Sequence, residues 1–359
     1  LAVGPSAVPT DVMVANGATF AVLNGEFPAT FTTPMLQLGS TGSTLEFTLS
    51  GSGLPATPLM QVTTLNGLVT SGGSHTLAVQ SAQELVPGRF TLIDYEGGPI
   101  SSDFSFVAPP RVAASLVYDT LNTTIDLDVT GVSQIRWTGS SSSIWDAGSA
   151  VDVGGTVNWA DTISSQATNF VTNDRPRFDD SASSGAVELI GVLAPAQLTV
   201  DNSFLDYTFH GTGSLAGAAD LTKTGTGRLT LALADSRTGR TTVTGGPLQI
   251  GTANAAGSLA GDVTIEFGAA LDILNGSVAG DVSVNGSSLS ITDGTLGGNL
   301  ALTGGGQLTF NGSSAISYAG TISGDGTISN DGPGTFTAAG SSTGFTGAVI
   351  VNAGTFVVD

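Results

Sequence analysis

Glycine recurs in the second half of this chain at a spacing that only a stacked architecture requires. Gly217, Gly239, Gly261, Gly280, Gly298, Gly320 and Gly347 follow one another at steps of about 20 residues, the last step being the longest. The register is explicit in Leu259-Ala-Gly-Asp-Val-Thr-Ile265 and Val278-Ala-Gly-Asp-Val-Ser-Val284, and continues in Leu296-Gly-Gly-Asn-Leu-Ala-Leu302 and Tyr318-Ala-Gly-Thr-Ile322. A tight corner followed by a short alternating strand, repeated at that interval, is the pattern of a parallel β-solenoid. One such coil cannot bury its own inward face. Stacked coils can, because neighbouring strands about 4.8 Å apart set each inward Val, Leu, Ile or Phe over its counterpart. Glycine and asparagine are expected at the corners to supply left-handed backbone.

Strand signals extend over the rest of the chain. Thr44-Leu-Glu-Phe-Thr-Leu49, Arg89-Phe-Thr-Leu-Ile93, Thr124-Ile-Asp-Leu-Asp-Val129 and Arg228-Leu-Thr-Leu-Ala-Leu233 alternate apolar and polar residues between turn formers. Such alternation describes half-buried strands, and no sustained helical periodicity competes with it. A longer duplication overlies the coils. Gly225-Thr-Gly-Arg-Leu-Thr-Leu231 aligns with Gly332-Pro-Gly-Thr-Phe-Thr-Ala338, at an offset slightly over five of the short periods. The segment from 131 to 185 breaks this rhythm and holds all three tryptophans. The organisation expected is a β-rich or solenoid region over 1–130, a Trp-rich insertion or cap over 131–185, and β-solenoid repeats over 186–359, with essentially no α-helix.

Charge excludes several partners. Nine Lys+Arg face 29 Asp+Glu, a formal charge of −20, and Lys223 is the single lysine. No basic patch for phosphates can be assembled, which argues against nucleic acid. There is no cysteine, hence no disulfide and no thiolate metal site. No apolar run is long enough to span a membrane as a helix. The start at Leu1-Ala-Val reads as a processed end of something longer.

The residues that carry chemistry are sparse. His75 and His210 lie in different regions, and no serine sits in a Gly-x-Ser-x-Gly elbow. Glycosidase chemistry needs two carboxyls facing each other across a cleft. Asp179 and Asp180 are adjacent but read as a loop, while Asp262 and Asp281, at equivalent corners, read as turn formers. Glu266 and Asp272 are the other carboxylates on the repeats. No catalytic or cofactor residue is assigned; Ca2+ is the one ion that the acidic corners would suit. Trp137, Trp145 and Trp159 are candidate contacts for a glycan or partner, against the alternative that they form a local core. The sequence ends on an apolar strand, so Phe356, Val357 and Val358 form a candidate assembly edge for head-to-tail contacts.

Leu221-Thr-Lys-Thr-Gly-Thr-Gly-Arg-Leu-Thr-Leu231, followed by Thr238-Gly-Arg-Thr-Thr-Val243 and a second glycine-rich corner, resembles the autotransporter-associated β-strand repeat of bacterial passenger proteins. Trp137-Thr-Gly, Trp145-Asp, Trp159 and Phe178-Asp-Asp180 resemble the tryptophan-rich segment that often precedes it. The resemblance implies a right-handed parallel β-helix at the bacterial cell surface or in the extracellular space, used as a stalk, fibre or matrix component, and transfers no catalytic residue. The chain's partners would be itself, other surface proteins or glycans. A glycan-binding adhesin and a polysaccharide-degrading enzyme are the competing functions.

Overall fold

The computed structural model describes residues 2–3, 10–24, 30–49, 55–70, 73–81, 85–100, 104–109 and 111–359. Leu1, read above as a processed end, lies outside them. The described residues contain no helix, and therefore none long and apolar enough to cross a membrane. They form an all-β solenoid in two compact units, 1–133 and 134–359.

In the first unit the coils are wide. Thr19 pairs with Thr44 and Thr44 with Thr76, steps longer than all but the last of those between the glycines of the second half. Strands Thr44–Leu49, His75–Ser81 and Phe104–Val107 stack in parallel, and inward Leu45, Phe47, Leu77 and Val79 are fully buried between faces. A hairpin of Val112–Asp119 and Thr124–Val132 then lies antiparallel on Gly88–Tyr95 and covers that edge. Its turn is closed by Asp119, whose Oδ1 accepts the N–H of Leu121 and Asn122 at 3.0 Å each.

The second unit is the narrower stack that the glycine spacing describes. Its first face is a 12-stranded sheet, parallel from Ile135–Trp137 through Pro176–Asp179 and Gln197–Asp201 to Gly344–Phe345. The second face runs from Ile144–Trp145 to Ala348–Val351, and the third includes Gly257–Leu259, Gly276–Val278 and, farther along, Ile316–Tyr318, Thr335–Ala338 and Thr355–Val358. Unbroken register makes columns. Leu198, Leu221, Thr241, Val263, Val282, Leu300 and Ile322 form one on the first face; Phe209, Leu231, Ile250, Ile273, Ile291 and Phe310 form one on the second. All of these are buried, and each apolar member contributes about 1.5–3 kcal/mol by leaving water. The outward partners are mainly Thr and Ser.

Gly217 takes the left-handed backbone that the sequence suggested, with φ +91°, but the corner glycines after it have a different cause. The true column is Gly239, Gly261, Gly280, Gly298, Gly320 and Gly340, and none of these has a positive φ. A Cβ on any of the last five would collide with the carbonyl oxygen of the glycine one coil below. Close approach of backbones, not left-handed geometry, excludes a side chain here. Gly347 belongs to a separate column with Gly306 and Gly326, so the last step, now to Gly340, shortens to match the others. Gly261→Ala is expected to destabilise the protein by about 1–3 kcal/mol, because backbone is the obstacle. Ser283→Ala, on the outward side of the neighbouring coil, should stay within about 0.5 kcal/mol. Denaturant unfolding of the two variants measures the difference.

Candidate functional site

At the start of the first-face strands, one polar side chain per coil is turned onto the next. Asp262 Oδ1 accepts the Asp281 N–H at 2.9 Å, Asp281 Oδ1 the Asn299 N–H at 2.7 Å, and Asn299 Oδ1 the Thr321 N–H at 3.1 Å. Asp220 does the same for Arg240 at 2.8 Å. Beside this ladder runs a shallow groove of about 270 Å³, lined by Arg240, Asp262, Asp281, Asn299 and Ser323 among others. Its carboxylates are occupied by backbone donors, and no group of three His, Asp or Glu side chains able to hold a metal occurs among the described residues.

Inside the stack the first face carries a cation. Lys223 sits in register between Val200 and Val243 and is fully buried. Its Nζ donates to the carbonyls of Thr224 at 2.7 Å, Gly225 at 3.1 Å and Gly245 at 3.2 Å, joining two coils at the corner between the first and second faces. Burial strips water from the ammonium and lowers its pKa from 10.5 to about 8, against the pull of Asp201, Asp206 and Asp180. A second buried charge is compensated directly. Arg237, 1% exposed, pairs with Asp235 at 2.5 Å and donates to Ala219 O at 2.8 Å. Burial raises the Asp235 pKa despite that partner.

The adjacent pair Asp179–Asp180 is divided between two tasks. Asp179 accepts the Ser181 N–H at 3.0 Å and lies 3.4 Å from Arg177 Nε. Asp180 reaches the next coil and accepts the N–H groups of Ser203, Phe204 and Leu205 at 2.9–3.0 Å, with the Phe204 bond the leading cause of its lowered pKa. The loop so held projects Phe204, 94% exposed. Glu266 accepts from Asn285 Nδ2 at 3.1 Å, next to the exposed Phe267. Asp272 is half-buried on the outward row of the second face, between Gln249 and Ser290, and burial raises its pKa while Arg228 opposes the rise. Buried His75 places Nε2 2.7 Å from Thr70 O, and His210 pairs in register with Glu188 on the second face.

Trp137, Trp145 and Trp159 are 0%, 0% and 1% exposed, which corrects their assignment as glycan contacts. Their strands stack onto the solenoid sheets, so the inward alternation that buries Leu elsewhere buries indoles here. Trp145 meets Trp159, Phe170 and Phe178 at 5.4 Å each, and Phe178 meets Phe209 at 4.7 Å, joining the rings to the aliphatic columns. Strand Trp159–Asp161 is antiparallel to both Ile135–Trp137 and Ala167–Thr168, and Ala167–Thr168 ends the first-face sheet. Phe356, Val357 and Val358 lie on Thr355–Val358, which pairs with Thr335–Ala338; the Phe356 ring stacks on Phe336 at 5.5 Å, and Val358 is 73% exposed. The exposed phenylalanines, Phe204 and Phe267, escaped the sequence reading because corner residues carry no alternation to be read against.

Comparison with known proteins places the motif. The passenger-associated transport repeat matches residues 221–250 and 331–358. The chain thus carries two copies of the passenger-associated transport repeat. An autotransporter adhesin of Brucella suis biovar 1 (strain 1330), Adhesin BmaC autotransporter, is 30% identical over 237 residues, 63% of this chain. The chain spans only 6% of that relative's length. No solved structure matches.

The two passenger-associated repeats occupy different faces. Strands Asp220–Thr224 and Thr241–Val243 of the first copy lie on the first face, whereas their counterparts Thr327–Asn330 and Ala348–Val351 lie on the second. Lys223 is matched by Asn330, also fully buried, whose Nδ2 donates to Thr355 O at 3.0 Å.

Two measurements test this interior. Unfolded Lys223 keeps its proton to 10.5 while the folded group releases it at about 8, so the unfolded state binds more protons between those values. Stability should therefore rise with pH from about 8 to 10, until buried Tyr207 and Tyr318, held protonated by desolvation, oppose the gain. Lys223→Met should flatten that rise in denaturation curves taken across the window. Trp145→Ala should cost about 3–5 kcal/mol in the same assay.

Proposed function

We propose that this chain is a non-catalytic structural segment of a bacterial surface passenger, a shaft or fibre outside the cell. One observation carries the reading. In the second unit, buried charges and corner carboxylates alike hydrogen-bond to backbone or to each other, and so hold coil on coil. The passenger-associated repeats and the likeness to an autotransporter adhesin support an extracellular location. Absence of cysteine suits a chain exported unfolded, which would otherwise risk premature crosslinks.

Association of one copy with another, or with a further surface protein, is a second reading. It is supported by Gly344–Phe345, Ala348–Val351 and Thr355–Val358, whose outer edges pair with no other strand among the described residues. Val349, Ile350 and Val351 are 45%, 45% and 51% exposed there. Such an edge accepts a coil of matching register from any source.

Antibodies to the exposed hairpin turn 119–123 should label intact cells that carry the parent protein; labelling only after permeabilisation would overturn the surface assignment. Sedimentation velocity of the 359-residue chain tests association. Concentration-dependent growth that is lost in Val349→Lys supports it, and a monomer at all concentrations refutes it.

A further inference from the structure

We infer that the corner between the first and second faces is a docking ridge for a neutral glycan, with Phe204 and Phe267 as its two stacking platforms. Phe204 lies on the loop from Gln197–Asp201 to Tyr207–Leu215, and Phe267 on the loop from Val263–Ile265 to Ala269–Leu274. Both loops turn the same corner of the stack. Their strands are three positions apart in the sheet, which sets the loops about 14 Å apart along it. The rings are 94% and 83% exposed, whereas large aromatics are ordinarily buried.

Neither ring hangs on a loose segment. The Phe204 loop is fixed by the three backbone N–H groups that bind Asp180, and by Asn202 Nδ2, which donates to Leu205 O at 2.7 Å. The Phe267 ring leans on Gly286, where a Cβ would stand 2.7 Å from its Cδ2. Between the two loops the same corner carries Gly225-Thr-Gly227 and Thr244-Gly-Gly246, residues with small side chains or none. Two platforms already fixed need no ordering when a ligand arrives.

The chemistry selects the occupant. These two rings are separated by hydroxyls and backbone, so they form no contiguous apolar patch of the kind that marks a protein partner. A sugar ring offers an apolar C–H face for stacking and a rim of hydroxyls for polar neighbours. Thr226 presents an exposed side chain beside the platforms, while Asp180, Asp206 and Glu266, already bonded to the Ser203–Leu205 and Arg228 N–H groups and to Asn285, keep the ridge acidic. Those carboxylates, in a chain of net charge −20, repel uronates and sialates. A neutral hexose polymer remains. The ridge is independent of the structural role proposed above, since a shaft has no use for solvated aromatics.

Affinity electrophoresis of the 359-residue chain in gels containing a soluble β-glucan, a mannan or a galactan, with alginate as the acidic comparison, tests this. At least one neutral polymer should retard migration. Phe204→Ala or Phe267→Ala should each weaken that retardation by roughly fivefold to tenfold, and the double variant should abolish it. Thermal unfolding of all three variants should match the parent, because the rings add little to the core. No retardation by any neutral polymer, retardation undiminished in the double variant, or stronger retardation by alginate would each overturn the inference. Surface labelling of cells reads the structural proposal separately.

Discussion

Backbone-to-backbone contact between successive coils governs this molecule. Parallel pairing sets each coil about 4.8 Å from the next, and that distance leaves no room for a Cβ where the chain turns inward at Gly261, Gly280 or Gly298. Once the corners close, register follows, because the inward residues of each strand can stack only on those directly below. A one-residue slip would turn a whole inward set to water. The polar ladder from Asp262 to Thr321 obeys the same geometry, with each side chain reaching one coil along to a backbone N–H.

The period and the class of fold were legible in the sequence because they rest on local chemistry, alternation within a strand and glycine at its start. The membership of the glycine column was legible only in part. Gly347 has the right neighbours in sequence but stands over Gly326, since the loop before it departs from the earlier spacing. Lys223 could be assigned to a motif but not to the interior, because nothing in a strand of alternating residues distinguishes a lysine aimed inward at carbonyls from one aimed at solvent. The tryptophans illustrate the reverse. Their break in rhythm suggested an insertion or cap; the strands that carry them add to the same sheets and their rings continue the same columns.

Polar groups inside the solenoid share one logic. A corner leaves carbonyl oxygens pointing into the lumen, where water is scarce and an unmade hydrogen bond costs about 1–3 kcal/mol. Lys223 satisfies three of them in the first repeat, and Asn330 serves at the matching position of the second. The interchange of a cation and an amide identifies the position as a donor site rather than a charged one. Asp235 and Arg237 have no such counterpart, for the matching stretch of the second repeat, Ser342-Thr-Gly-Phe345, holds neither an acid nor a base.

The longer period fills five coils and one face, so the second repeat begins one face further round than the first. In an array built from such units, a residue fixed in the motif would not form a seam. It would wind about the axis and return to its original side only after three units. Any surface character written into the repeat is thereby shared among all sides of the shaft, and a neighbour approaching from any direction meets the same composition.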